Sequence, residues 1–300
     1  MSWIKKGLLF KNSGTSNGSQ LPVVDIYPDI YKIYYSARDN QNRSIPKYTN
    51  LNKSDLSIIS DYPLNLSLGK PGSFDSHGIM PTEILTLEDG TKYLYYVGWS
   101  KRLDVPYWNS IGLATSKDDG RSWQKYSEGP IFSTSALEPN FIGTICVIPP
   151  HTKPKYEEIF TKPTWYMYYS SARWEEIDGK QESIYDIKSA VSVDGINWLP
   201  TGKTNVKLEG EEGGIAAFRK VKNNYYFSIR NKSDFRTNPE NSYKIWCFNS
   251  IKNKKELILE PEGNETMCAY PFVIEEKDRD IMFYCDDFGK SGIYLAIKEK

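Results

Sequence analysis

MPTEILTLEDGTKYLYYVGWS, residues 80–100, is the stretch on which the reading of the fold turns. An apolar run meets the polar turn Asp89-Gly90 and continues into a second run dense in tyrosine. Asp-Gly between two apolar segments is hairpin chemistry, because glycine accepts the positive φ that a tight turn demands. The same plan returns in Leu21–Asp39 (LPVVDIYPDIYKIYYSARD) and in Gly143–Trp174 (GTICVIPP…TWYMYYSSARW). It returns again in Gly214–Asn231 (GIAAFRKVKNNYYFSIRN) and Ala269–Gly289 (AYPFVIEEKDRDIMFYCDDFG). Pro28-Asp29, Asn223-Asn224 and Asp278–Asp280 supply the corresponding turns, and the third unit has a longer connection through Pro149, Pro150, Pro154 and Pro163.

A third strand follows most units, at Ile111–Ser116, Ile187–Ser192, Tyr243–Asn249 and Gly292–Ile297. Self-similarity at a period of roughly 55–75 residues is the mark of a repeat architecture. Sheets of about four strands set radially hide their edges, and that is the economy of a propeller. The expected fold is all-β: one five-bladed β-propeller over residues 1–300, with blades starting near residues 20, 80, 143, 213 and 268. The strand at Trp3–Phe10 is placed to close the ring beside the last blade.

Composition agrees. Aromatics make up 14% of the chain, with 22 Tyr and 8 Trp, which suits strands and the stacking of sugar rings. Lys and Arg balance Asp and Glu at 38 each, with no long block of one sign, so no nucleic-acid or anionic-membrane partner is expected. The apolar N-terminal run is too short for a signal-peptide core and no window reaches a membrane span, so the expectation is a cytoplasmic protein. Cys146, Cys247, Cys268 and Cys285 lack CxxC spacing and read as buried reduced thiols. His77 and His151 are the only histidines and neither adjoins a cysteine pair, so no metal or other cofactor is expected.

Five stretches carry a resemblance: IYYSARDNQNRS (33–44), GSFDSHGIMP (72–81), YYVGWSKRLDVPYWNSIGLA (95–114), EEGGIA (211–216) and MCAYPFV (267–273). With them, the chain resembles the five-bladed propellers of the glycoside hydrolase superfamily that includes families 43, 32, 68 and 130. More narrowly it is similar to a bacterial group of that fold associated with surface-polysaccharide gene clusters. The resemblance implies a carbohydrate-active enzyme that cleaves or transfers a glycosidic bond, with three carboxylates from inner strands converging in a central funnel. The sequence departs from that pattern, since Ser19-Gln20-Leu21-Pro22 stands where such proteins place an Asp. A non-catalytic propeller that binds glycans or sugar nucleotides is the alternative. Ser116–Trp123 also fits the Asp-box of sialidases, a peripheral hairpin motif without a catalytic part, and Ser192–Trp198 is a related turn.

Glycosyl cleavage calls for two carboxyl groups on either side of one bond. Acids at the starts of the units are the candidates: Asp75 as base or nucleophile, Glu212 as general acid beside Glu211, and Glu265 supporting the sugar. Glu138 precedes the third unit and Asp39 ends a second strand. Arg38, Arg173 and Arg230 stand at matching places and suit the clamping of a carboxylate, a phosphate or hydroxyls. Trp99, Tyr107, Trp108 and Trp174 suit the rim, and His77 is placed to touch a hydroxyl or tune Asp75. The partner expected is a sugar, a sugar phosphate or a nucleotide sugar.

Overall fold

A computed structural model describes residues 2–12, 17–150 and 164–300. His151, Pro154 and Pro163 of the sequence reading lie outside the described residues. Within them the protein is all-β, its only helical turns being the three-residue 3-10 segments Pro239–Asn241 and Asp287–Gly289. Among the described residues no helix is long and apolar enough to cross a membrane.

The chain opens with β1 (Ile4–Phe10) and then runs through antiparallel meanders. The first is β2 (Asn17–Ile26), β3 (Ile30–Arg38), β4 (Ser44–Asn52) and β5 (Ile58–Pro63). The second is β6 (Gly78–Thr86), β7 (Lys92–Ser100), β8 (Trp108–Ser116) and β9 (Gln124–Lys125). The third comprises β10 (Phe141–Ile148), β11 (Trp165–Ile177), β12 (Lys180–Ser192) and β13 (Leu199–Val206). The fourth comprises β14 (Glu212–Val221), β15 (Asn224–Asn231), β16 (Lys244–Asn249) and β17 (Lys254–Leu259). The last has β18 (Ala269–Glu275), β19 (Arg279–Asp286) and β20 (Gly292–Glu299), and its fourth strand is β1, paired antiparallel with β20. One parallel bridge, Ser44 to Gly78, joins the first two meanders into a single sheet.

Second strands are covered on both faces, which is why they read as near-continuous apolar and tyrosine runs rather than as alternation. Tyr31, Ile33, Tyr34 and Tyr35 of β3 are wholly buried, and so are Leu94, Tyr95 and Tyr96 of β7. First strands touch one another in cyclic order: β2 with β6, β6 with β10, β10 with β14, β14 with β18, and β18 with β2. A buried tie crosses them, for Glu83 of β6 accepts from the Val147 amide of β10 at 3.1 Å and pairs with Arg219 of β14 at 2.5 Å. That guanidinium also lies over the Phe272 ring of β18 at 4.5 Å.

The Asp-box turns join neighbours. Ser116 and Asp118 cage their own turn through the Gly120 and Ser122 amides. The turn then reaches the first meander, where Lys32 donates to the Gly120 carbonyl at 2.8 Å and Trp123 packs edge-on against Tyr34. In the next unit Tyr95 of the second meander donates to the Gly195 carbonyl at 2.8 Å. Trp123 therefore packs across to the adjacent meander as well as finishing its own hairpin.

Candidate functional site

All five first strands carry a β-bulge at an equivalent place: between Gln20 and Val23, Pro81 and Glu83, Ile142 and Ile145, Ala216 and Phe218, and Ala269 and Phe272. A bulge adds a residue and re-aims the side chains beside it. Leu21, Ala217 and Tyr270, in three of these bulges, hold positive φ of 56°, 46° and 59°. Backbone held in so sparsely populated a region has to be over-determined by its surroundings, and such strain gathers at sites. Bulge residues of four meanders line one cavity of about 650 Å³, to which the second meander adds Met80, Trp99 and Asn109.

Trp99, Tyr107 and Asn109 form part of the wall. The Trp99 indole donates to Ser44 Oγ at 2.9 Å, and Gly78 makes this possible, because a Cβ there would run into the indole. The Tyr107 hydroxyl meets Ser183 Oγ and the Tyr185 hydroxyl, each at 3.2 Å. Tyr243 and Tyr270 add two more phenols. Burial raises the pKa of Tyr185, Tyr243 and Tyr270, so they stand as neutral hydroxyls that donate and accept. Asn109 is 7% exposed, and its Oδ1 accepts no hydrogen bond.

Two guanidiniums from the expected set face this space. Arg38 sits over the Trp99 ring at 5.1 Å and donates to the Asn42 carbonyl at 3.2 Å. Arg230, 2% exposed, stacks on Phe235 at 3.7 Å, donates to the Ser183 carbonyl at 2.8 Å and lies 3.7 Å from Glu182. Arg236 covers Phe235 at 4.0 Å and also pairs with Glu182. Gly214 leaves room for Arg230, and Gly213 for the backbone of Lys232, so packing between strands accounts for both glycines.

The other expected wall residues fall elsewhere. Arg173 is exposed and pairs with Glu175 at 2.8 Å and Asp186 at 3.5 Å, outside the cavity lining. Trp174 stands behind Tyr107, edge-on at 4.9 Å, and Trp108 lines a second hollow of about 400 Å³ with Arg102 and Phe74. His77 leans on Trp99 at 5.7 Å, bonds Ser76 Oγ at 3.0 Å and does not line the cavity. Asp39 accepts from the Gln41 and Arg43 amides and the Arg43 guanidinium. Burial opposes its ionisation, but these bonds outweigh it and lower its pKa.

None of the proposed carboxylates is among the residues lining the cavity. Asp75 is buried and accepts from Lys125 at 2.5 Å, Tyr96 at 3.1 Å and Ser73 at 3.1 Å. Glu138 accepts from Tyr169 at 2.8 Å, Ser171 at 2.9 Å and Lys188 at 3.0 Å. Glu265 accepts from Tyr284 at 2.8 Å and from Lys5. Glu212 pairs with Lys255 and accepts from the Glu209 amide at 3.1 Å. The first meander has a variant, in which Tyr35 and Lys47 bond Asp61 at 2.6 and 3.0 Å, and Lys47 also bonds Asn12. In the second and last meanders such an acid joins a second-strand tyrosine to an outer-strand lysine, in the third the lysine is on the third strand, and in the fourth Glu212 holds an outer-strand lysine without a tyrosine. The recurrence that singles these acids out in the sequence thus has a structural cause.

The cysteine thiols are all free, and burial pushes Cys146 and Cys268 up to about 12, which leaves no thiolate nucleophile at neutral pH. Sequence reasoning missed Asn109, Tyr185, Tyr243, Tyr270, Lys101 and Lys290 as lining residues. Aligning the units on their first strands is the one signal that reaches any of them, since it sets Tyr270 level with Leu21 and Ala217.

The fold is shared with solved glycoside hydrolases. A glycoside hydrolase of solved structure superposes with a TM-score of 0.69 at 15% identity, over 99% of this chain and 91% of its own. The α-L-arabinofuranosidase of Podospora anserina, solved in complex with cellotriose, does so with a TM-score of 0.60 at 9% identity, over 99% and 95%. Among curated proteins, the uncharacterized protein Rv1502 of Mycobacterium tuberculosis is 28% identical over 319 residues, spanning the whole of both chains. No protein-family model matches the chain.

Proposed function

We propose that the five meanders form one five-bladed propeller over residues 1–300 and that its central cavity binds a carbohydrate. The cyclic contacts of the first strands and the Glu83–Arg219–Phe272 tie support the ring. The observation that carries the sugar reading is Asn109. Its oxygen is buried without a donor among the described residues, at a cost of about 1–3 kcal/mol, and a turn of this cavity-lining side chain would offer the amide to a sugar hydroxyl. Around it stand an indole face and several phenols, the groups that recognise the apolar face and the hydroxyls of a sugar.

Binding has better support than carboxylate acid–base cleavage. Cleavage needs two carboxyl groups about 5–10 Å apart on one sugar, and none of the described Asp or Glu residues lines the cavity. What favours cleavage is the fold shared with solved glycoside hydrolases, but fold does not fix chemistry. Asp75, Glu212 and Glu265 would each have to leave an ion pair to take part.

Crystals soaked with a panel of mono- and oligosaccharides test the reading. The expected result is a ring against Trp99 with a hydroxyl on Asn109 Oδ1. Sugar found only on the outer surface would overturn it. A glycan cut by the wild type, and spared by folded Asp75→Asn and Glu212→Gln proteins, would establish cleavage in its place.

A further inference from the structure

The arginine at the end of β3 differs from its two counterparts. Arg173 and Arg230 have carboxylate partners, whereas Arg38 has none within 4.0 Å among the described residues. Asp39, next to it in the chain, is fully engaged by Arg43 and Gln41. Arg38 is partly buried in the cavity wall, held by an aromatic face on one side and a single backbone carbonyl. Burial lowers its pKa, a sign that its charge lacks full compensation. Removing a cation from water without a counter-ion is costly, and an incoming anion would supply the missing partner.

The rest of the lining has the same sign. Arg38, Lys101, Arg230, Arg236 and Lys290 border the cavity, and no described acid does. Glu182 serves both Arg230 and Arg236, and Asp287 meets Lys290 in an exposed pair at 3.3 Å, leaving Lys101 and Arg38 without an ion pair. From these observations we infer that the cavity takes a sugar bearing an oxyanion, with Arg38 holding the charged group and exposed Lys101 and Lys290 attracting it at the mouth. The inference rests on the sugar-binding reading of the same cavity. A planar guanidinium forks onto phosphate and carboxylate alike, so sugar phosphates, nucleotide sugars and uronates share the required chemistry.

Isothermal titration separates these sources. Glucose, galactose and N-acetylglucosamine are each titrated as free sugar, 1-phosphate and UDP derivative, beside glucuronate, galacturonate and inorganic phosphate. The wild type is expected to prefer at least one charged form over its neutral parent by roughly ten- to a hundredfold, the range for a charge-assisted bond. Arg38→Gln should abolish that preference, and Arg38→Lys should restore part of it. Arg173→Gln, altered outside the cavity, should leave it intact. Lys101→Gln, at an exposed position that tolerates change, should weaken charged ligands only, and less so at high salt. Phosphate forms favoured over uronates, or the reverse, identify the oxyanion. Neutral sugars binding as tightly as charged ones would overturn the inference and leave the sugar reading standing. Inorganic phosphate binding as tightly as any sugar phosphate would support the anion site and remove the sugar reading. No binding by any member of the panel would overturn both.

Discussion

Charged side chains recur at two places in this protein, at the starts of the meanders and at the ends of their second strands. The acids at the starts are consumed by assembly, for Asp75, Glu138 and Glu265 each bond a tyrosine and a lysine of their own sheet. The arginines at the ends have diverged. Arg173 is paired and exposed, Arg230 is paired and buried, and Arg38 faces the cavity without an acid. A feature that every repeat needs for its own stability is repeated faithfully, whereas a binding site is one space shared by all repeats, so each contributes something different to it. On the proposed reading, recurrence marks scaffold, and the copy that breaks the pattern marks the site.

The comparison can be broken most directly at the clasps. Replacing Lys125 or Lys188 by Met leaves a buried carboxylate without its cation, and urea unfolding should show a loss of about 3–5 kcal/mol. Sugar affinity of the folded fraction should not change. A variant of normal stability that no longer handles sugar would show that the clasp acids belong to the site after all.

A smaller effect is expected at Gly78, where the clasped scaffold meets the cavity. Gly78→Ala pushes a methyl into the Trp99 indole and Ser44, and overpacking of this kind costs about 1–3 kcal/mol. Loss of sugar binding should accompany the loss of stability, read by titration and by tryptophan fluorescence. Unchanged binding would mean that Trp99 does not touch the ligand.

Asn109→Ala sharpens the contrast from the opposite side. Because its Oδ1 has no partner in the free protein, removing it should change the unfolding midpoint little. Sugar affinity should fall by about three- to tenfold, the equivalent of one hydrogen bond. A large loss of stability with normal affinity would assign Asn109 to the scaffold.

The smallest effect is on pH dependence. Burial would raise the Asp194 pKa, but the backbone and side-chain amides of Asn197, the Ile196 amide and the Ser192 hydroxyl lower it to about 2. A carboxylate whose pKa is depressed in the folded state contributes stability above its unfolded value, and that contribution is lost as pH falls through the folded one. Stability should thus decline between about pH 4 and 2, and Asp194→Asn should flatten part of that decline in thermal scans. An unaltered acid limb in the variant would remove the turn from the stability of the protein.

Much of the scaffold was legible before any coordinates. Apolar runs bounded by Asp-Gly and Asn-Asn turns announce hairpins, and the second runs are dense in tyrosine. The N-terminal strand pairs beside β20, as its apolar pattern suggests. Of the site, Arg38, Trp99, Tyr107 and Arg230 were legible as lining residues, since each follows or ends a second strand of the repeat. Asn109 and Tyr270 were not. A bulge leaves no mark in composition, and nothing in a polar strand residue such as Asn109 tells that its neighbours will leave its oxygen alone.

By itself, then, the sequence determined the strands, their grouping into repeats and the stock of charges available to them, because periodicity and turn chemistry act over a few residues. Only the tertiary structure decided which charges cancel. Lys125 reaches Asp75 across 50 residues of chain and Lys5 reaches Glu265 across 260, whereas no acid reaches Arg38. An ion pair depends on approach in space, so an arginine left unpaired among the described residues of a shared cavity becomes visible only when all five meanders are in place.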